Sequence, residues 1–163
     1  MKVGIIMGSD SDLKIMQQAE AVLHELGVET EMDVMSAHRT PERVLDYALG
    51  AYQRGVAVII AGAGGAAHLA GFVAAVSAMP VIAVPIKSSN SIDGWDSILS
   101  MLQMPSGVPV ATVALDGARN AGILAAQILS VADPQLHQRL VDFKEAMKEK
   151  VYAASVRVRE QAK

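Results

Sequence analysis

Short apolar runs alternate along this chain with stretches in which apolar residues recur every three or four positions. Val3 to Met7 is almost continuously apolar and reads as a strand buried on both faces. Leu13, Met16, Leu23 and Leu26 then follow helical spacing, and Gly27 closes that helix. Glu29 to Met35 reads as a second strand. A second helix is predicted over Pro41 to Arg54, with Thr40 at its N-cap, proline at its first position and Gly55 after it. Val56 to Ala61 is a third strand and Ala66 to Ala78 a third helix, ended by Pro80. Val81 to Val84 is a fourth strand, and a polar loop from Lys87 to Gly94 leads into a short helix over Asp96 to Gln103. Val110 to Val113 is a fifth strand and Asn120 to Ser130 a fifth helix. This alternation predicts a three-layer α/β fold on a parallel sheet with right-handed crossovers.

The last segment breaks the pattern. Asp133-Pro134 is a good helix start, and Leu136, Leu140, Phe143, Met147 and Val151 form an apolar stripe with no strand after it. Such a stripe must bury itself, on its own sheet or on a neighbouring subunit. Composition bears on the wider question of association. The 163 residues suit one domain, yet 52% are hydrophobic and only 4% aromatic, a surplus of aliphatic residues that points to burial between subunits. No repeat or linker divides residues 1–163, so a single domain is expected, with 133–163 as a C-terminal helix whose stripe needs a partner.

Charge and cysteine content narrow the chemistry. A net charge of −3 gives no support for binding nucleic acid or an anionic membrane. The chain has no cysteine, which excludes disulfides and thiolate chemistry. The N-terminal apolar run is too short for a signal peptide or a membrane span, so the cytoplasm is the expected compartment. The four histidines show no ligand-like pairing and no accompanying acidic cluster, so no metal site is expected. His24 and His137 fall on polar helix faces and are expected in solvent.

Three loops after predicted strands carry the candidate chemistry, at the sheet edge where ligands of open α/β folds bind. Gly8-Ser9-Asp10-Ser11-Asp12 is neither a Walker loop nor GxGxxG. Its glycine, hydroxyls and helix-terminal amides nevertheless suit a phosphate. The same residues also serve a plainer role, with Ser11 or Asp12 capping the first helix. Asp12 would repel a phosphate and is better placed to accept from sugar hydroxyls. Ser36-Ala37-His38-Arg39 follows the second strand. The arginine can hold an anion, and the histidine can move a proton near neutral pH. Read alone, they could equally be a bonded loop histidine and a surface ion pair. Gly62-Ala63-Gly64-Gly65-Ala66-Ala67-His68 follows the third strand; its glycines permit either close approach of a flat ligand or tight helix–sheet packing. A phosphate held by Ser9, Ser36 and Arg39 would place its attached group near His38.

Together these pieces resemble one family closely. GSDSD at Gly8 to Asp12, SAHRTP at Ser36 to Pro41, AGAGGAAHL at Ala61 to Leu69 and DSILSMLQMPSGVPVAT at Asp96 to Thr112 occur in the order and spacing of the N5-carboxyaminoimidazole ribonucleotide mutases. That enzyme of purine biosynthesis is also called the catalytic subunit of phosphoribosylaminoimidazole carboxylase. Asn120-Ala121-Gly122 with Leu124-Ala125-Ala126 extends the match, which runs from about Val3 to Leu129. The resemblance implies a flavodoxin-like fold and, as in bacterial members, a homo-octamer whose C-terminal helices reach their neighbours. It implies a ribonucleotide substrate and no cofactor. Ser9, Asp12 and Arg39 match substrate-binding positions, while Ser11, Ser36, Ala63 and Gly64 match further pocket positions. His38 matches the general acid/base and His68 a second pocket histidine. The loop at Gln103-Met104-Pro105 would close over the site of an adjacent subunit. The chain departs from the family at Ala70, where His-Leu-Pro-Gly is usual, and Ser88 to Asp93 falls in a variable stretch.

The implied reaction moves a carboxyl group from the exocyclic N5 to ring carbon C4, without ATP, biotin or metal. The runner-up is the related carboxylase acting on free carbon dioxide, a branch that would carry lysine after the histidine. A flavodoxin-like module binding a flavin or nucleotide without catalysis is a third reading. The low aromatic content tells against the flavin.

Overall fold

The computed structural model describes residues 1–161. Five parallel strands form one sheet: β1 (Lys2–Met7), β2 (Glu29–Val34), β3 (Val56–Gly64), β4 (Val81–Ile86) and β5 (Ala111–Thr112). Their spatial order is β2-β1-β3-β4-β5. The helices are α1 (Leu13–Glu25), α2 (Pro41–Gly50), α3 (Leu69–Val76), α4 (Trp95–Leu102), α5 (Ala118–Ser130) and α6 (Pro134–Gln161).

The apolar runs sit at the centre because both faces of the sheet are covered. On one face Ile5, Ile60 and Ile82 pack with Met16 and Leu23 of α1 and Ala121 and Ala125 of α5. On the other, Ile6 and Ile59 pack with Val44 of α2 and Val73 of α3. This is the expected three-layer α/β arrangement. The edge strand β2 is only half-buried.

Several boundaries differ from the sequence reading; the third helix, for one, spans Leu69–Val76 where Ala66 to Ala78 was expected. The second helix ends at Gly50, and Tyr52–Arg54 is a separate turn of 3-10 helix before Gly55, which takes φ +82°. Strand β3 continues through Gly62, Ala63 and Gly64, which pair with Val84, Pro85 and Ile86. Three residues read as loop are therefore strand, because small residues can pair in a sheet as readily as they can turn. The first helix is capped by neither Ser11 nor Asp12: the Ser9 hydroxyl accepts from the Ser11 amide at 3.4 Å and caps a 3-10 turn over Asp10–Asp12 that leads into α1.

Helix α6 has a partner within its own chain for its first turns. Leu136 and Leu140 are buried in the core cluster beside α5, and Phe143 packs against it. Arg139 Nε donates to the Leu26 carbonyl at 2.7 Å, tying α6 to the end of α1. Beyond Phe143 the helix leaves the body, and Met147, Val151, Tyr152, Val156 and Val158 are exposed. The loop after α4 also returns to its own chain, where the Met104 sulfur packs beside Gly71 of α3. Among the described residues, no helix is long and apolar enough to cross a membrane.

Candidate active site

Strand order decides which loops can meet. The sequential run of crossovers reverses between β1 and β3, and a crevice opens there at the carboxyl ends of the strands. A cleft of about 340 Å³ occupies that position. The loop after β1 lines it with Gly8, Ser9, Ser11 and Asp12. The loop after β2 adds Ser36, His38 and Arg39, and the end of β3 with its turn adds Ala63, Gly64 and His68. Ser9, Ser11, Asp12, Ser36, His38, Arg39, Ala63, Gly64 and His68, the residues matched to site positions from the sequence, all line this one cleft. His24 and His137 are exposed and lie outside it.

The β2 loop is rigid for a local reason. Thr40 stands at the N-cap of α2, but its hydroxyl does not cap the helix. Thr40 Oγ1 instead donates to the Ser36 carbonyl at 3.1 Å and accepts from the Ser36 amide at 3.0 Å. The Ser36–Thr40 turn is thus closed from both ends, with His38 and Arg39 held between. Arg39 Nη2 donates to the Gly8 carbonyl at 2.7 Å, and its Nε to Ser36 Oγ at 3.3 Å. The first of these contacts lashes the β2 loop to the β1 loop, and the second braces the arginine within its own loop.

His38 reaches across β1 to the β3 side. Its Nε2 lies 2.8 Å from His68 Nδ1, a hydrogen bond between residues thirty apart in sequence. The rings meet edge to face, with centroids 4.9 Å apart. One of the two facing nitrogens carries the proton and the other accepts it. The pair can therefore take or release a proton while keeping the contact, which suits an acid/base couple. His68 is the residue before α3, and Ala70 is fully buried in that helix's first turn. A first-turn amide has no intrahelical acceptor, so alanine starts α3 without the proline usual in the family pattern.

Asp12 is the buried carboxylate of the site, at 4% exposure. Burial pushes its carboxyl above the usual range, against the hydrogen bond that Ser11 Oγ donates at 3.2 Å. An acid whose pKa is higher in the folded chain binds more protons when folded. Stability therefore falls as pH rises from the unfolded value toward the folded one, and stays lower above it. Asp12→Asn is expected to melt above wild type at pH 7, at about 2–4 °C for each kcal/mol regained. The advantage should vanish below about pH 4, where the unfolded carboxyl is also protonated. Thermal melts of both proteins across that range check this. An equal or lower melting temperature at pH 7 would show that burying Asp12 costs nothing.

The sequence reading passed over a fourth loop. Ser88, Ser89 and Asn90, after β4, line the cleft opposite the β1 loop. The available signal was their polar run directly after an apolar strand at the same sheet edge. Among the described residues, no group of three or more His, Asp or Glu side chains is gathered as a metal ion would require.

With this geometry in place, likeness to known proteins becomes informative. The AIR carboxylase family model matches residues 2–150. The chain belongs to the AIR carboxylase family. An N5-carboxyaminoimidazole ribonucleotide mutase of Thermotoga maritima is 54% identical over 157 residues, covering 96% of this chain and 91% of the relative. A Pyrococcus abyssi protein of the same name is 58% identical over 147 residues, covering 90% and 84%. A phosphoribosylaminoimidazole carboxylase of Schizosaccharomyces pombe is 56% identical over 147 residues, which span 26% of that longer protein. Among solved structures, Treponema denticola PurE superposes with a TM-score of 0.83 at 30% identity, covering 95% of this chain and 96% of the other. The strand order of this member of the AIR carboxylase family is that of flavodoxin-like folds.

Proposed function

We propose that this protein is an N5-carboxyaminoimidazole ribonucleotide mutase, an isomerase of purine biosynthesis that yields 4-carboxy-5-aminoimidazole ribonucleotide. The observation that carries the reading is the His38–His68 pair at the centre of a cleft with an anion-binding end. Ser9, Ser36 and Arg39 are the phosphate donors, and Asp12 accepts from the ribose hydroxyls. Ser11, Ala63 and Gly64 complete the walls around the sugar and base.

Held by its phosphate and ribose, the aminoimidazole ring lies against the histidines. His38 gives a proton to N5. The N5–carboxyl bond breaks, its electron pair stays on nitrogen, and carbon dioxide is released inside the cleft. The ring is now an enamine, and C4 attacks the carbon dioxide. His38 takes the C4 proton, and the ring regains its aromaticity. One proton is lent and recovered, so one histidine suffices and His68 stabilises it in both states. A module that merely binds nucleotide has no use for this pair.

The proposed assembly is a cytoplasmic homo-octamer in which the exposed apolar residues of α6 meet neighbouring subunits. The Gln103-Met104-Pro105 loop is proposed to approach the site of an adjacent subunit. The support is the row Met147, Val151 and Tyr152, left uncovered in the single chain.

Mutase and carboxylase part over the fate of the carbon dioxide. With carboxyl-labelled substrate and unlabelled bicarbonate in excess, most of the label is expected in the product. Aminoimidazole ribonucleotide with bicarbonate should react poorly at modest concentration. Complete wash-out of label, together with an equally efficient bicarbonate reaction, would identify a carboxylase.

A further inference from the structure

Carbon dioxide is small, neutral and free to diffuse, so the site must orient it between the breaking and the forming bond. The β1 and β2 loops supply donors for the phosphate end of the substrate. On the opposite wall, Gly64 and Ala66 have no side-chain donor, and the facing nitrogens of His38 and His68 are engaged with each other. The polar side chains of that wall belong to the β4 loop.

Within that loop one group is fixed and has donors to spare. The Ser91 amide donates to the Ser88 carbonyl at 3.0 Å, closing a turn that carries Asn90. Ser88 Oγ donates to Asn90 Oδ1 at 2.6 Å, which sets the orientation of the carboxamide. Among the described residues, Asn90 Nδ2 makes no hydrogen bond. The amide lies over Gly65, with Nδ2 2.8 Å from where a Cβ would stand, and Gly65 also takes φ +62°. Both the space and the backbone angle call for glycine, so the β3 turn is shaped to seat this amide. Lys87, a stronger donor nearby, is turned away to Asp93 at 3.0 Å and does not line the cleft.

On the mutase reading, we propose that Asn90 Nδ2 donates to an oxygen of the migrating carboxyl group and keeps the released carbon dioxide facing C4. A neutral donor suits the task. A cation would hold the carboxylate too firmly and oppose cleavage of the N5 bond, whereas an amide orients the carboxylate and carbon dioxide alike. The oxygens gain charge again as C4 attacks, and the same N–H group stabilises them.

The test measures partition. Wild type, Asn90→Ala and Asn90→Asp are given carboxyl-labelled N5-carboxyaminoimidazole ribonucleotide in unlabelled bicarbonate, and label in product is compared with aminoimidazole ribonucleotide released. Asn90→Ala is expected to raise the released fraction relative to product by about tenfold, the usual scale for one hydrogen bond to a charged group. Asn90→Asp has the same size and can still accept from Ser88, but it faces the carboxyl with an acceptor. It should lose more than the alanine variant at an unchanged melting temperature, which a purely structural role would not produce. If wild type retains label and both variants partition as it does, the role of Asn90 falls and the mutase reading stands. If wild type does not convert the substrate, both fall together.

Discussion

Replacing His38 with asparagine is expected to cut turnover by about 10²-fold or more, the scale of a positioned acid/base group. The loop should survive the change. Its closure comes from Thr40 and Ser36, and the imidazole takes no part in those bonds. His38 is exposed, so its removal opens no core cavity. The interaction lost is the 2.8 Å bond to His68 and, with it, a group that can give and recover a proton at neutral pH. Turnover with saturating substrate, alongside a thermal melt, separates chemistry from folding. Near-wild-type turnover in a folded His38→Asn protein would remove His38 from the mechanism and transfer the role to His68.

Arg39→Ala should act on the other half of the problem. An arginine–phosphate contact is present in ground and transition states alike, so its loss raises KM and leaves kcat within a few-fold. The expected rise is about tenfold to a hundredfold, the range of a charge-assisted hydrogen bond. Part of the effect arises because Arg39 also joins the β2 loop to the Gly8 carbonyl. Arg39→Lys keeps the charge but cannot bond Gly8 and Ser36 from one planar fork, so it should recover only part of the loss. Steady-state kinetics of both variants decide the matter. A normal KM with reduced kcat would place Arg39 at the reacting atoms and not at the phosphate.

Much of this architecture was legible before any coordinates. Buried strands announce themselves because both faces are covered, so Val3 to Met7 and Val81 to Val84 read as unbroken apolar runs. Helices announce themselves through a period that short-range sterics impose. Chemically distinctive residues at strand ends, such as Ser9, His38 and Arg39, could be assigned to one sheet edge from the alternation alone. The misread pieces were those whose local chemistry is ambiguous. Gly62 to Gly64 suit a turn or a strand equally, and pairing with Val84 to Ile86 settles the choice. Two serines and two aspartates before α1 are all competent caps, and only the backbone path selects Ser9, for the 3-10 turn that leads into α1.

Residues far apart in the chain were beyond the reach of such signals. The strand order β2-β1-β3-β4 sets the loop of His38 near that of His68 and brings the β4 loop over Gly65. No periodicity encodes that order, because it depends on which strands pair after each crossover. For the same reason the apolar stripe of α6 predicted burial without naming its partner. Packing then divided it, with Leu136 and Leu140 covered by the chain's own core and the residues beyond Phe143 left outside. Local sequence thus named the reactive groups and the layers that carry them, since propensity and spacing act within one element. The histidine pair and the Asn90 amide came from the assembled sheet, since contacts between loops exist only once the strands are in place.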